Sequence, residues 1–345
     1  MTDAPKTVDG LATRYPTAFV TGGAGFIGSH VVRRLIEEGV RVRCLLLPGD
    51  KAPALDGLDP SVCERVVGNI TDQGGLLGHM QGVDIVFNLA AIYAIWLPQP
   101  ARMFEVNVGG TVAICEAARL AGVPRVVHTS SIAAVGYLPG RQLSDETVLY
   151  TDWDVGEGYV LSKYISEVEA FARADDDLDV VCVNPAFPFG ADDLAPTPTG
   201  KQVRDVLTGQ MPFVVDGGFN AVDVRDVAEG HLLAAMHGKS GQRYILGGDN
   251  VTLADFANLV AERAGRKAPR LKAPTALVKG VGWIAEQIAD HVTRRPPRFT
   301  YASVAYLAGR HVWFSTAKAQ RELGYRPRPI VEAIDRSIAW FRSQA

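Results

Sequence analysis

The chain has 345 residues, 47% of them hydrophobic and 21% charged, which supports one large α/β domain with an appended lobe, or two modest domains. With 35 basic against 38 acidic residues, a net charge of −3 and no basic pole, it offers no nucleic-acid surface. Its four cysteines lie far apart, with no CxxC pair and no His-rich spacing, which argues against a bound metal.

In chain order, residues 1–16 are polar, bear Pro and Gly and lack an apolar core, so they read as a loose leader and not as a signal peptide. TAFVT (17–21) reads as a strand, and GGAGFIGSHVVRRLIEEG after it carries helical spacing up to Gly39. VRCLLL (42–47), ERVVG (64–68) and DIVFNLAA (84–91) are further strands, and 101–121 reads as one long amphipathic helix closing at Gly122. RVVHTSS (125–131) is a strand, 159–174 a helix and DVVCVNP (179–185) the sixth strand.

Strands that are nearly continuous apolar runs, alternating with helices, predict an α/β fold: a doubly wound parallel sheet of the Rossmann type, with its ligand at the carboxyl ends of the strands. After Pro185 the texture turns irregular and Pro/Gly-rich, while 222–236 reads as a strand end running into a helix and RYILGG (243–248) as a short strand. The sheet domain is therefore placed at 17–185, with 222–248 returning to it. A smaller mixed C-terminal lobe, suited to a substrate, takes 186–221 and 249–345. The stretch APTALVKGVGWIAEQIA is broken by Lys279 and Glu286, so it predicts a buried or amphipathic helix and not a membrane span. Cys44, Cys115 and Cys182 sit in or beside apolar runs, where a small buried hydrophobe is the ordinary role, and a reducing cytoplasm suits such a chain. His79, His231 and His237 are scattered and read as surface or helix-end residues; RRPPR (294–298) reads as a solvated turn.

TGGAGFIG places Gly22, Gly25 and Gly28 between the first strand and its helix. Gly22 suits a tight turn, Gly25 lets backbone N–H groups approach a pyrophosphate, and Gly28 lets the helix close on the sheet. An acidic or a basic residue at the end of the second strand would choose between NAD and NADP. That strand ends Leu45-Leu46-Leu47-Pro48, with Asp50 and Lys51 following, so the choice stays open.

Tyr159 and Lys163 form Y-x-x-x-K, one helical turn apart on a shared face. A lone phenol has a pKa of about 10, and a nearby ammonium favours its phenolate. Tyr159 is thereby a candidate general acid for a carbonyl being reduced, or base for an alcohol being oxidised. Ser131, ending the strand TSS, is a candidate hydrogen-bond donor to the same oxygen. Tyr93 and Trp96, beyond the fourth strand, are candidate walls for an apolar substrate or packing groups for their loop, and Phe187, Phe189 and Met211 carry the same two readings.

TGGAGFIG, NLAA, NVGGT, TSS and YVLSK, in this order, resemble the extended short-chain dehydrogenase/reductase superfamily. NPAFPFGADDLAPTPTG, RYILGG and STAKAQRELGYRPRP resemble its dihydroflavonol-reductase-like branch, and in particular bacterial members labelled hopanoid-associated sugar epimerases, of the NAD-dependent epimerase/dehydratase type. The resemblance covers about 17–342. It implies a nicotinamide cofactor, NAD or NADP, and Ser131, Tyr159 and Lys163 as a catalytic triad, with the lysine also on the nicotinamide ribose. It further implies cofactor contacts from Asn69, Ala90, Ala91 and Asn107. With Gly22, Gly25, Phe26, Ile27, Gly28, Ile70 and Pro185 these make up the expected cofactor set, and Tyr93, Trp96, Ser131, Phe187 and Phe189 are the expected substrate contacts. Asn69 stands where the superfamily usually has an Asp near the adenine. Nucleotide-sugar members typically carry an Arg and an Asn after the sixth strand, where this chain has Asn184 and Phe187; dehydratases place an Asp-Glu pair beside the catalytic Ser or Thr, where it has Ile132 and Ala133. The reading is an NAD(P)-dependent oxidoreductase acting on a ketone, aldehyde or secondary alcohol of a mostly apolar small molecule: a steroid, terpenoid, polyketide or flavonoid-like compound. A nucleotide-sugar epimerase or dehydratase and a non-catalytic dinucleotide sensor or scaffold are the alternatives. By analogy with the superfamily, a homodimer would form through 101–121 and 159–174.

Overall fold

The structure, a computed structural model, describes residues 8–94, 96–153, 158–269, 271–295, 297, 301 and 306–344. The first half alternates strands and helices: β1 (Thr17–Thr21), α1 (Phe26–Glu37), β2 (Arg41–Leu46), β3 (Cys63–Val67), α2 (Gln73–Met80) and β4 (Ile85–Asn88). Next come α3 (Ala101–Phe104), α4 (Gly110–Leu120), β5 (Arg125–Thr129), α5 (Gly158–Phe171) and β6 (Asp179–Pro185). The second half adds β7 (Phe187–Phe189), α6 (Pro198–Leu207), β8 (Phe213–Val214), β9 (Gly218–Asp223), α7 (Val224–His237) and β10 (Arg243–Leu246). It ends with β11 (Asp249–Thr252), α8 (Leu253–Ala264), β12 (Leu271–Lys272), α9 (Thr275–Ile288), β13 (His311–Val312) and helices Ala317–Leu323 and Ile330–Ser343.

Seven strands form one parallel sheet in the order β10-β6-β5-β4-β1-β2-β3. The order reverses between β1 and β4, and this crevice at the carboxyl ends is where such sheets bind ligands. β4, β5 and β6 are buried along almost their whole length, because helices cover both faces and leave no solvated side to demand polar alternation. One core lies between the sheet and α1 and α7, with Val20, Val31, Leu35, Leu232 and Ile245. The other lies under α2 and α4, with Phe19, Leu76, Val86, Ile114 and Val180. All four cysteines are buried and free, and burial pushes the Cys44 and Cys115 thiols up to about 12.

Three details differ from the sequence reading. The stretch 1–16 is not loose from residue 8 onward: Val8, Leu11 and Tyr15 are buried in the first core, and the Val8 amide donates to the Glu38 carboxylate at 3.1 Å. The helix expected over 101–121 contains a π-helical turn, Glu105–Gly109, which carries the buried Asn107. His231 is no helix-end residue but is wholly buried in α7.

Beyond β6, β7 pairs with β9, which also pairs with β11 and β13, while β8 and β12 form a separate two-stranded piece. Behind this second sheet α6, α8 and Ile330–Ser343 enclose a core of Phe189, Phe219, Phe256, Val260 and Ile334. The Phe189 ring lies 4.7 Å from Phe256 and 5.9 Å from Phe219 between centroids. Phe189→Ala should therefore destabilise the chain by about 3–5 kcal/mol through an unfilled cavity, read as a lower urea midpoint at unchanged slope. A loss under about 1 kcal/mol would show that Phe189 is not a core residue.

Candidate functional site

Gly22 has φ +67°, a left-handed conformation that side chains disfavour. A Cβ there would lie 2.7 Å from the Ala90 amide nitrogen, and one on Gly28 would lie 2.1 Å from the Gly22 carbonyl oxygen. No β-carbon fits at either position without moving backbone. Gly25 is the N-cap of α1 and brings no side-chain cap, so the first N–H groups of that helix are left without intrahelical partners. They open into a cavity of about 650 Å³ lined by Gly22, Gly25, Phe26, Ile27 and Gly28. A glycine cradle and an uncapped helix start, at the reversal point of a parallel sheet, together fit the pyrophosphate of a dinucleotide.

The same cavity is lined by Ser131, Tyr159, Lys163 and Pro185, by Ala91 and Tyr93, and by Phe187. Tyr159 and Lys163 project from the first turns of α5. Lys163 is buried, and its ammonium donates to the Thr129 carbonyl at 2.6 Å. Burial lowers its pKa from the ordinary 10.5 to about 8, against the opposing pull of Glu167 one turn on. Ser131 caps a single 3-10 turn, its Oγ accepting from the Ala133 amide at 3.1 Å, so its hydroxyl proton is directed elsewhere. The Tyr93 and Tyr159 rings lie 4.6 Å apart, tilted by 47°.

Behind these groups stands a buried polar layer that sequence reading missed. The Asn184 amide donates to the Ser131 carbonyl at 2.9 Å and to the Glu167 carboxylate at 2.6 Å. Glu167 in turn meets the Arg243 guanidinium at 3.0 Å. The Thr129 hydroxyl lies 2.9 Å from His231 Nε2, and His231 Nδ1 lies 2.7 Å from the Val227 carbonyl. A carbonyl only accepts, so Nδ1 carries the proton and Nε2 accepts from Thr129. Burial holds the His231 pKa at about 4 and keeps the ring neutral. His128, also buried, is pushed well below its usual range by burial and then by Lys163. Apart from the His231–Val227 contact within α7, these contacts join residues 17 or more positions apart, and no local spacing announces them.

Several expected contacts fall elsewhere. Asn107 is not on the cavity wall: it accepts from the Ile92 amide at 2.7 Å and donates to the Ile92 carbonyl and to Ser162 Oγ at 3.1 and 2.9 Å. It fastens the loop after β4 to the helix that carries Tyr159. Trp96 is turned away, its indole donating to Asp290 at 2.7 Å. Phe189 belongs to the core behind the second sheet. Ala90 sits just behind the wall, its amide donating to Thr21 Oγ1 at 3.1 Å. Asn69 is exposed and closes a turn onto the Thr71 amide at 3.1 Å, while Ile70 packs beneath Gly110. Met211 lines a smaller apolar cavity of about 200 Å³ that shares Gln202 and Leu307 with the main one. Of the RRPPR run, Arg294 and Arg295 are exposed, and Pro296 and Arg298 lie outside the described residues.

The cavity also recruits residues that no motif marked. Ser130 lines it with a buried hydroxyl that has no protein partner among the described residues. Lys201, Gln202 and Asp205 bring one polar face of α6 to it, and Tyr306 and Leu307 close the apolar side.

Fold and cavity define an α/β protein of the dinucleotide-binding type, with the glycine turn and Ser131, Tyr159 and Lys163 on one cavity. The chain belongs to the NAD dependent epimerase/dehydratase family, whose family model matches residues 18–247. It is 36% identical over 94% of both chains to a Synechocystis protein carrying a provisional dihydroflavonol 4-reductase name. It is 34% identical to sterol demethylase protein B of Methylococcus capsulatus, over 95% of this chain and 99% of that one. Among solved structures, that of gox2253 superposes with a TM-score of 0.83 at 38% identity, covering 96% of this chain and 99% of the other.

Between about pH 8 and 10.5 the folded chain holds less proton at Lys163 than the unfolded chain does. Unfolding free energy therefore gains a positive contribution as pH rises through that window, and the cost of burying the ammonium is felt in full below it. Urea midpoints should rise more steeply with pH in the unaltered protein than in Lys163→Met. Parallel profiles would mean that the ammonium is solvated.

Proposed function

We propose that the chain is an NAD(P)-dependent oxidoreductase that interconverts a carbonyl and a secondary alcohol on a mostly apolar small molecule, in the reducing direction physiologically. What carries the reading is that Ser131, Tyr159 and Lys163 share one cavity with the glycine cradle on one side and Phe187, Tyr306 and Leu307 on the other. The bound nicotinamide supplies or accepts the hydride. The remaining work falls to the protein.

Tyr159 hands its phenolic proton to the substrate oxygen as negative charge grows there, so hydride and proton together turn the carbonyl into the alcohol. Lys163, charged below about pH 8, favours the phenolate that is left behind. Its position follows from the Thr129 carbonyl, which in turn is set by the Thr129–His231 contact. Ser131 donates to the same substrate oxygen, stabilising the developing charge without reorganisation. Asn184 steadies Ser131 through its carbonyl. Tyr93 packs on Tyr159 and limits water at the reacting atoms. The names of the two relatives, a flavonoid reductase and a sterol-processing protein, agree with a flat, ring-bearing apolar substrate.

Asn184 and Phe187 add weight against a sugar nucleotide: Asn184 is wholly buried and committed to Ser131 and Glu167, and Phe187 offers the cavity only an apolar ring. A homodimer through α4 and α5 is part of the proposal, supported by the exposed Leu120 and Val168 on these helices. Buried free thiols suit a reducing cytoplasm. Among the described residues no helix is long and apolar enough to cross a membrane.

Tyr159→Phe should cut turnover of an apolar ketone by about 10²–10⁴-fold while dinucleotide affinity, followed by NAD(P)H fluorescence, stays within a few-fold. Unchanged turnover would remove Tyr159 as the acid. Tightly retained NAD with no net NAD(P)H consumption across a carbonyl and alcohol panel would replace the oxidoreductase by an epimerase.

A further inference from the structure

The largest concentration of exposed apolar side chains lies on α9. Leu277, Val281, Ile284 and Ile288 stand at i, i+4, i+7 and i+11, forming one stripe along the helix. They are 62%, 46%, 53% and 47% exposed, and Val292 beyond them is 75% exposed. Trp283 on the same helix is 56% exposed. Scattered surface leucines are ordinary, but a continuous stripe over three turns is not.

The segments flanking the helix carry charges of one sign. Arg266, Lys267 and Lys272 precede the helix, Arg294 and Arg295 follow it, and all five are exposed. The two acidic residues of the helical segment are both engaged in hydrogen bonds: Glu286 accepts from the Tyr301 amide at 3.0 Å, and Asp290 from the Trp96 indole at 2.7 Å. An apolar stripe between cationic flanks has the composition of a helix that lies in a lipid–water interface.

We propose that α9 and its basic flanks dock the protein on the surface of an anionic lipid bilayer, with the stripe from Leu277 to Ile288 embedded. The helix lies in the plane of the interface, since it is too short and too interrupted by charge to span. The docking face adjoins the site: Val278 on the same helix turns inward and lines the smaller apolar cavity, which meets the main cavity at Gln202 and Leu307. A substrate dissolved in lipid would thus reach the site through its apolar end. That delivery route rests on the function proposed above; the docking itself does not.

The test uses the full chain and vesicles of phosphatidylcholine with or without phosphatidylglycerol. Sedimentation with the anionic vesicles is expected, weakening as salt screens the cationic flanks. The double variant Val281→Asp and Ile284→Asp should bind them at least about tenfold more weakly, with unchanged turnover of a small water-soluble carbonyl. Failure of the unaltered protein to sediment with anionic vesicles would overturn the proposal, and so would a variant that sediments equally well. A dimer in light scattering that the double variant splits into monomers would assign the stripe to a second copy of the chain instead. Vesicle binding is read without turnover, so an inactive enzyme that still docks would count against the proposed reaction and not against the surface.

Discussion

A buried ammonium is the constraint on which the site depends. Lys163 gives up most of its hydration to stand beneath the cavity, and its hydrogen bond to the Thr129 carbonyl with Glu167 one turn away only partly offsets that loss. Each compensating group is itself held. Thr129 is anchored by a neutral His231, and Glu167 is shared between Asn184 and Arg243. The chain of contacts crosses from α5 through β5 and β6 to α7 and β10, so the polar layer at the carboxyl ends of the strands is both a structural joint and the floor of the site. Removing one partner leaves the next one buried and unpaired, the costly case for interior polar groups.

A second set of contacts places the walls. Asn107 satisfies both backbone groups of Ile92 and reaches Ser162 in the first turns of α5. The π-helical turn around Asn107 is the local irregularity that accompanies this reach, as such turns often do near sites. Further along the same loop Trp96 is tied to Asp290, in the helical turn that follows α9. The loop after β4 is thereby anchored at Ile92 and at Trp96, with Tyr93 against Tyr159. Residues read as ligand contacts from their place in a motif turn out to set the position of those that line the cavity.

How much was legible depended on whether a feature is local. Strand ends at Thr21 and Pro185 and the glycine turn were readable because a parallel sheet demands apolar runs, and a close helix–strand approach demands glycine. Tyr159 and Lys163 were readable because four residues make one helical turn. Phe187 and Phe189 show the limit: they stand two apart on one strand, yet the first meets the cavity and the second the core of the other sheet. Nothing in the string says which neighbours each will meet. His231 was misread for the same reason, since its partner Thr129 lies 102 residues away.

The sequence by itself determined the class of fold, the place of the glycine turn and the pairing of Tyr159 with Lys163 one helical turn apart, because backbone geometry and helical period act over a few residues. Tertiary structure alone decided that the leader is docked from Val8, that Asn107 and Trp96 hold a loop, and that Asn184, Glu167 and Arg243 support Ser131. It also decided that the apolar positions of α9 fall into a stripe left in solvent. Those outcomes depend on which surfaces the remaining chain covers, and burial is a property of the assembled molecule, not of any segment.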